Sequence, residues 1–371
     1  MPLPARNNYS ILLYPFSLFY GLIVWIRNTL FNYEIIRSVE FPIPVISVGN
    51  ITVGGTGKTP HIEYLVELLK DEFRVATLSR GYRRKTRNFI LAGPDPEVPD
   101  IGDEPVQIKN KYPEIEVAVD RRRVNGIREL MKRIPDLDVI LLDDAYQHRY
   151  VKPGLSILLI DFNRPIWEDH LLPAGRLREQ AYERRRANII LVTKCPDRLK
   201  PIERRIIVKD LKLFPFQHLF FTKLTYGQPL PVFSDNEKPM SLAEMKASRS
   251  LILMVTGIAG PRLFKKHLRS ISTHILEITY PDHHDFSNRD LDRIVQAYRD
   301  MEGENKLIFT TEKDATRLRK FTNIEASIRE RMYYVPVGIG VLNEDRENLN
   351  NHIRNYVRDN KRDSILHKKK D

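Results

Sequence analysis

A chain of 371 residues, 42% of them hydrophobic, can bury a full α/β core and a smaller second one, since single cores stop growing near about 250 to 300 residues. Its 60 Lys and Arg exceed its 48 Asp and Glu by 12, a surplus that favours anionic partners (phosphates, nucleic acid or an acidic membrane leaflet) without choosing among them. The single cysteine, Cys195, excludes an intramolecular disulfide and a multi-cysteine zinc site.

At the amino end, Tyr9 to Ile26 is 18 residues without a charge, bounded by Arg6 and Arg27. As helix it would run about 27 Å, near the lower limit for spanning a bilayer. Pro15 and Gly21 interrupt the run, and Tyr9, Tyr14 and Tyr20 carry rings that prefer the interface. A helix that dips into or lies on one leaflet is favoured over a span, with a buried packing helix as the alternative. No small-residue cleavage pattern follows, which argues against a signal peptide.

From residue 43 short apolar runs alternate with charged stretches of helical period, the pattern of βαβ units. Core strands are predicted at Ile43 to Val48, Arg74 to Ser79, Ile115 to Asp120, Val139 to Asp143, Leu155 to Asp161 and Ile189 to Lys194. Continuous rather than alternating apolarity suits a parallel sheet covered on both faces. A polar, proline-containing break from Pro229 to Ser250 precedes a second set of βα units, at Leu251 to Thr256, Ile275 to Thr279, Leu307 to Thr310 and Tyr333 to Val337. The expected organisation is an amino-terminal membrane-associating segment (1–38), a P-loop NTPase-like core domain (39–230), a smaller α/β domain (231–350) and a charged, disordered tail (351–371).

Between the first strand and the helix marked by Ile62, Leu65, Val66 and Leu69 runs Val53-Gly54-Gly55-Thr56-Gly57-Lys58-Thr59-Pro60. Strand, glycine loop and helix stand in the order a phosphate-binding loop requires. The glycines let successive N–H groups face phosphate oxygens, and the helix start adds its dipole. Lys58 would reach the β- and γ-phosphates of ATP and the Thr59 hydroxyl would ligate Mg²⁺. Pro60 is tolerated in the first helical turn. The full G-x-x-x-x-G-K-[ST] pattern wants glycine where this chain has Thr52; the alternative is an ordinary glycine-rich βα turn. An acidic strand end is supplied by Val139-Ile140-Leu141-Leu142-Asp143-Asp144, with Asp143 the candidate for the magnesium shell, or else a strand running into an Asx turn.

Other polar clusters fall at predicted carboxyl ends of strands, where open parallel sheets bind ligands. Arg80-Gly81-Tyr82-Arg83-Arg84-Lys85 and Asp120-Arg121-Arg122-Arg123 could face an anionic substrate or lipid headgroups, or be solvated basic loops. Gly102-Asp103-Glu104-Pro105 provides acids for metal or proton work, or favours a helix start. Asp282-His283-His284-Asp285 pairs carboxylates with imidazoles, as general-base chemistry requires, or is a surface loop. Thr193-Lys194-Cys195-Pro196-Asp197 resembles the Asn-Lys-x-Asp guanine reader of GTPases, but begins with threonine and has one residue too many. A P-loop switch is therefore a second reading. A membrane-tethered nucleic-acid ATPase rests on positive charge alone, with no recognition module behind it, and no obligate protein partner is evident.

Together these strings resemble one family, tetraacyldisaccharide 4'-kinase, the lipid A 4'-kinase of Gram-negative bacteria. The resemblance runs from the hydrophobic amino end to about residue 320. It is carried by Ser47-Val48-Gly49-Asn50 leading into the glycine loop, Arg80-Gly81-Tyr82, Gly102-Asp103-Glu104-Pro105, and Asp143-Asp144 with Gln147-His148. Leu172-Pro173-Ala174-Gly175 with Leu177-Arg178-Glu179, Thr256-Gly257-Ile258-Ala259, Asp282-His283 and Thr311-Glu312-Lys313-Asp314 complete it. The resemblance implies ATP-dependent phosphorylation of the 4'-hydroxyl of an acylated glucosamine disaccharide 1-phosphate, at the cytoplasmic face of the inner membrane. It implies Asp103 as base working with His283, and Glu104 and Asp143 as magnesium-shell residues. Arg178 becomes a stabiliser of phosphate charge, and Asp144, Gln147 and His148 line the site; Asn50, Arg80 and Arg121 are further candidates for its lining. The chain departs from the commoner pattern at Ala145-Tyr146 and at Arg176, which bears on substrate fit more than on the reaction.

Overall fold

The computed structural model describes residues 9–82, 84–233, 239–321 and 323–368. The chain forms two compact units, one of residues 1–224 and 339–371 and one of residues 225–338.

The first unit opens with α1 (Tyr9–Asn32), then β1 (Val45–Gly49), α2 (Lys58–Leu69), β2 (Val75–Ser79), β3 (Ile90–Leu91), α3 (Val98–Ile101), α4 (Asp103–Lys111), β4 (Glu116–Val119), α5 (Arg123–Arg133) and β5 (Val139–Asp143). It continues through β6 (Leu155–Asp161), a 3-10 turn at Ala181–Arg186, β7 (Ile189–Thr193), α6 (Pro201–Leu211) and β8 (His218–Tyr226). Among the described residues these strands lie in a nine-stranded sheet ordered β14-β8-β7-β6-β1-β5-β2-β4-β3, where β14 is Val337–Val341. The strands from β2 across to β8 pair in parallel, and β1, β5, β6 and β7 are buried along their whole length. That double-sided burial explains their unbroken Val, Ile and Leu runs. β1 sits at the centre, with Val48 opposite Asp143 of β5 on one side and Ile157 of β6 on the other.

The second unit holds β9 (Leu230–Pro231), α7 (Leu242–Ala247), β10 (Leu251–Thr256), α8 (Arg262–Leu268), β11 (Ile275–Thr279), α9 (Asn288–Asp300), β12 (Lys306–Thr311), α10 (Glu312–Leu318), α11 (Ala326–Arg329) and β13 (Met332–Val335). Its five-stranded sheet, ordered β11-β10-β12-β13-β9, is parallel apart from β9.

The structure divides the chain differently from the expected boundaries at 230 and 350. The chain leaves the first unit at Thr225 and returns at Ile339, where β14 adds to the sheet beside β8. Bonds from Gly227 N to Pro336 O (2.9 Å) and from Leu342 N to Phe221 O (2.9 Å) keep the outgoing and returning segments in antiparallel register. The tail expected to be disordered is instead the body of α12 (Arg346–Lys368). Leu349, Ile353 and Val357, one every helical turn, are buried in the core cluster that also holds Ile46, Ile62 and Leu65, so the charges around them form the outer faces of a docked helix. Lys369, Lys370 and Asp371 of the basic end, and Arg83 of the basic loop after β2, lie outside the described residues.

α1 is buried on one narrow stripe: Ser17, Gly21, Val24, Asn28 and Phe31. Ser17 Oγ donates to Leu171 O (3.0 Å) and Tyr20 OH to Arg178 O (2.8 Å), while Arg149 Nη1 donates to Asn28 O (2.9 Å). The rest of the helix leaves Leu12, Phe16, Leu18, Phe19, Leu22 and Trp25 more than half exposed. No helix among the described residues is long and apolar enough to cross a membrane.

Candidate active site

The loop from Val53 to Gly57 leaves the carboxyl end of β1 and enters α2 at Lys58. Gly54 and Gly57 have φ of +98° and +89°, a region open to glycine but strained for other residues. The loop is braced at its start, where Thr52 bridges Leu177 and Val53 N donates to Arg176 O (2.8 Å). Inside it, Asn50 Nδ2 donates to the buried Thr56 Oγ1 (2.8 Å), and Gln147 Nε2 donates to Asn50 O (2.9 Å). Thr59 and Pro60 follow Lys58 in the first turn of α2, with Thr59 half-buried.

The structure brings Lys58, Asp144, Arg178 and Gln147 together. Lys58 Nζ stands 3.6 Å from Asp144 Oδ1. Arg178 Nη1 lies 3.3 Å from both Asp144 oxygens and 3.4 Å from Gln147 Oε1. Burial pushes the Asp144 carboxyl up, but Lys58 and Arg178 outweigh it and hold the group below its ordinary value. Two cations around one carboxylate beside an anion-ready loop form a charge cluster that a polyphosphate can join without desolvating a lone ion.

Asp143 is only 2% exposed. Burial first, then Glu104 and Asp144, raise its pKa to about 7 against the lowering pull of Lys58 and Arg123. Its Oδ1 has no hydrogen-bond partner among the described residues. Asp103 and Glu104 open α4, after Gly102 at φ +93°, and Asp103 is buried. Arg123, read from sequence only as part of a basic cluster at a strand end, is buried here too and donates to Asp120 O (2.7 Å) and Asp143 O (3.1 Å). Desolvation lowers its pKa to about 10. His148 is half-buried beside Tyr150, ring centroids 5.6 Å apart, and desolvation, then Arg123, Arg27 and Arg80, lower its pKa to about 4. Arg80 and Arg121 remain exposed, one after β2 and one after β4.

His283 belongs to the second unit, in a turn where its φ is +59°. Its N donates to Gly257 O (3.2 Å), Lys313 Nζ lies 3.0 Å from Nε2, and Arg317 Nη2 lies 3.4 Å from Nδ1. Behind it, the fully buried Asp314 accepts from Gly257 N (2.8 Å) and Thr311 Oγ1 (2.7 Å) and pairs with Arg317 (3.3 Å). Within the Asp282-to-Asp285 cluster, Asp282 Oδ2 stays 3.9 Å from His283 Nε2, while His284 pairs with Asp290 (3.0 Å) and Asp285 with Lys320 (2.6 Å).

On the far side of β1 lies a second charged group, of which the sequence reading named only Lys194. Asp161 at the end of β6 pairs with Lys194 (2.8 Å) and Arg164 (3.1 Å), and both cations donate to Gly55 O. Its available signal was the one used for Asp143, a carboxylate closing an apolar strand.

Comparison with known proteins points to one family. The family model described as LpxK, tetraacyldisaccharide-1-P 4'-kinase, matches residues 9–358. The tetraacyldisaccharide 4'-kinase of Phocaeicola vulgatus is 47% identical over 354 residues, covering 95% of this chain and 96% of that protein. The enzyme of the same name from Porphyromonas gingivalis strain W83 is 43% identical over 348 residues, covering 92% and 95%. A crystal structure described as the "apo" form of LpxK from Aquifex aeolicus in complex with ATP superposes with TM-score 0.70 at 28% identity, covering 94% of this chain and 99% of that one. The fold class expected from sequence, a large parallel sheet flanked by helices with a smaller second α/β domain, is the one this neighbour shares. With the family model matching residues 9–358 and relatives matched along nearly its whole length, the chain belongs to the tetraacyldisaccharide-1-P 4'-kinase family.

Proposed function

We propose that this chain transfers the γ-phosphate of ATP to the 4'-hydroxyl of tetraacyldisaccharide 1-phosphate at a site built on the loop Val53 to Thr59. As a family member it is a kinase that moves phosphate to a lipid A precursor; the residue roles are our reading. The observation that carries it is Lys58, at the first position of α2, sharing Asp144 with Arg178 directly beside the glycine loop.

Phosphoryl transfer is largely positioning and charge neutralisation. In this reading Lys58 holds the β- and γ-phosphates, and Arg178, released from Asp144, meets the charge that builds on the transferred group. Asp103 takes the proton of the sugar hydroxyl. The residues fit a magnesium ion. Asp143 offers a buried carboxylate oxygen without a partner, Glu104 is near enough to raise its pKa, and Thr59 supplies a hydroxyl. Among the described residues no three acidic, His or Cys side chains form a cage, which suits an ion that keeps waters and is completed by substrate phosphates. When bound, Mg²⁺ supplies neutralisation of phosphate charge. Asn50, Gln147, His148, Arg80 and Arg121 line the approach, where a 1-phosphate and sugar hydroxyls need donors. The exposed apolar side of α1 lies in one leaflet at the cytoplasmic face of the inner membrane, so that the acyl chains stay in lipid.

The test is incubation of purified protein with γ-labelled ATP, Mg²⁺ and the disaccharide lipid, followed by location of the label. Label on the 4'-oxygen, lost in Lys58→Ala and cut by at least about a hundredfold in Asp103→Ala, is expected. Full transfer by a folded Asp103→Ala protein removes Asp103 from the base role.

A further inference from the structure

Three consecutive carbonyls of the glycine loop are each held by a side chain. Gly55 O accepts from Lys194 Nζ and from Arg164 Nη2 (3.4 Å). Thr56 O accepts from Thr193 Oγ1 (2.9 Å). Gly57 O lies 2.7 Å from His61 Nδ1, which fixes the proton on that nitrogen and leaves Nε2 to accept from Thr222 Oγ1 at 3.0 Å. Four of these groups are deeply buried: Thr193, Thr222, His61 and Asp161 are each 4% exposed or less. Asp161 organises the outermost part, binding Lys194 (2.8 Å) and Arg164 (3.1 Å), and its carboxylate is itself fixed by Asn163 N (2.9 Å).

A backbone whose successive carbonyls are drawn to one side leaves the intervening N–H groups facing the other, which is how a loop becomes an anion nest. Free glycines would not keep that arrangement, because Gly54, Gly55 and Gly57 have more conformations to lose than any other residue. Lys194 shows the cost being met, since its own backbone sits at φ +58°, a conformation that persists in a non-glycine residue only where surrounding contacts over-determine it. Arg164 also closes the space over Gly54, where an added Cβ would stand 3.2 Å from its Nη1.

We propose that Lys194, with Asp161 and Thr193, forms a tether that holds the glycine loop in its phosphate-binding shape, making these positioning residues for ATP rather than groups that touch it. The proposal rests on the nucleotide reading of the loop. It accounts for the Thr-Lys string at the end of β7 without a guanine-reading role: β7 is next but one to β1, so its terminal residues reach the loop from behind. The ammonium is neutralised by Asp161, and the donor thus stays on the loop carbonyl in the absence of nucleotide.

The test uses full-length protein, steady-state kinetics in both substrates, and titration calorimetry with a non-hydrolysable ATP analogue. Lys194→Met is expected to raise KM for ATP and Kd for the analogue about ten- to a hundredfold, the worth of a charge-assisted hydrogen bond. At saturating ATP its kcat, and its KM for the glycolipid, stay within about twofold. Lys194→Arg keeps a donor and recovers most of the affinity. Thr193→Val, which removes only a hydroxyl, shifts analogue affinity in the same direction by about three- to tenfold. Wild-type affinity in Lys194→Met overturns the tether. So does a loss of kcat at unchanged KM for ATP, which would put the ammonium on the reacting phosphate. If Lys194→Met does not fold, Thr193→Val decides alone, and unchanged affinity there overturns the proposal. A wild-type protein that does not bind the analogue sinks the nucleotide reading itself. Wild-type binding that Lys58→Ala abolishes, with the Lys194 and Thr193 variants unaffected, sinks the tether only.

Discussion

Asp143 and Asp161 close β5 and β6, the two strands flanking β1, yet their environments differ. Burial raises both; Lys194 and Arg164 bring Asp161 below its ordinary value, whereas Glu104 and Asp144 leave Asp143 titrating at about 7. The folded protein therefore holds a proton on Asp143 over a range, from about 4 to about 7, where the unfolded chain has lost it. Folded protein binding more protons means that stability falls as pH rises through that window. In metal-free protein, the unfolding free energy of wild type relative to Asp143→Asn is expected to fall as pH rises from about 4 to about 7 and then level off, read by urea melts. If Asp143 holds the ion as proposed, binding of Mg²⁺ with nucleotide should strengthen through the same interval, because only the ionised carboxylate can act as ligand. A flat difference between the two proteins would contradict this. Asp143 was legible because two aspartates follow four apolar residues beside a recognisable loop. Asp161 ends the same kind of run but was not, since chain order does not reveal that β6 returns to lie against β1. Lys194 was legible only as an imperfect string, because its partner Gly55 is 139 positions away.

At the scale of elements, α1 and α12 show what periodicity can and cannot carry. The uncharged run predicts a helix, and a helix forms; its partial burial emerges only when the segment from Leu171 to Arg178 is in place to accept Ser17 and Tyr20. The exposed flank gives a prediction. Replacing Phe16, Phe19 and Leu22 by serine should cut co-sedimentation with anionic lipid vesicles by at least about tenfold, given the free energy of burying each such side chain. Affinity for an ATP analogue should not change, and equal sedimentation of both proteins would refute the role. In α12 the apolar positions are sparse among charges, so composition reads as a solvated tail, but three residues spaced by four suffice to dock it. Ile353→Ala is expected to cost about 2 to 5 kcal/mol in a denaturant melt, whereas Arg358→Ala, whose partner Glu72 is a surface acid, costs less than about 1 kcal/mol. Similar losses from both would mean that the helix is held by charge rather than by burial.

For the whole molecule, the parallel core and the existence of a second α/β unit were readable from the strand runs, most of which fall within a residue or two of the observed ones. The second boundary was not. β13 and β14 are separated only by Pro336, so the sequence shows one apolar stretch where the chain in fact passes from one sheet to another. β8 was missed because only Phe220, Phe221 and Thr222 of its nine residues are buried and polar residues interrupt its run, so it lacks the solid apolar stretch of its neighbours. The pairing of β8 with β14 makes residues 225–338 a cassette spliced into a hairpin. A hairpin needs only a turn to be closed, and a two- to four-residue glycine-rich loop in place of residues 228–335 spans the gap that Gly227 and Pro336 already bridge with a backbone bond. The shortened chain is expected to fold and to bind an ATP analogue; a chain that cannot fold without the excised piece would mean that the larger body owes its shape to the insert. Inheritance follows the same lines: a piece whose two ends meet at one turn can be gained, lost or exchanged without re-threading the protein that carries it.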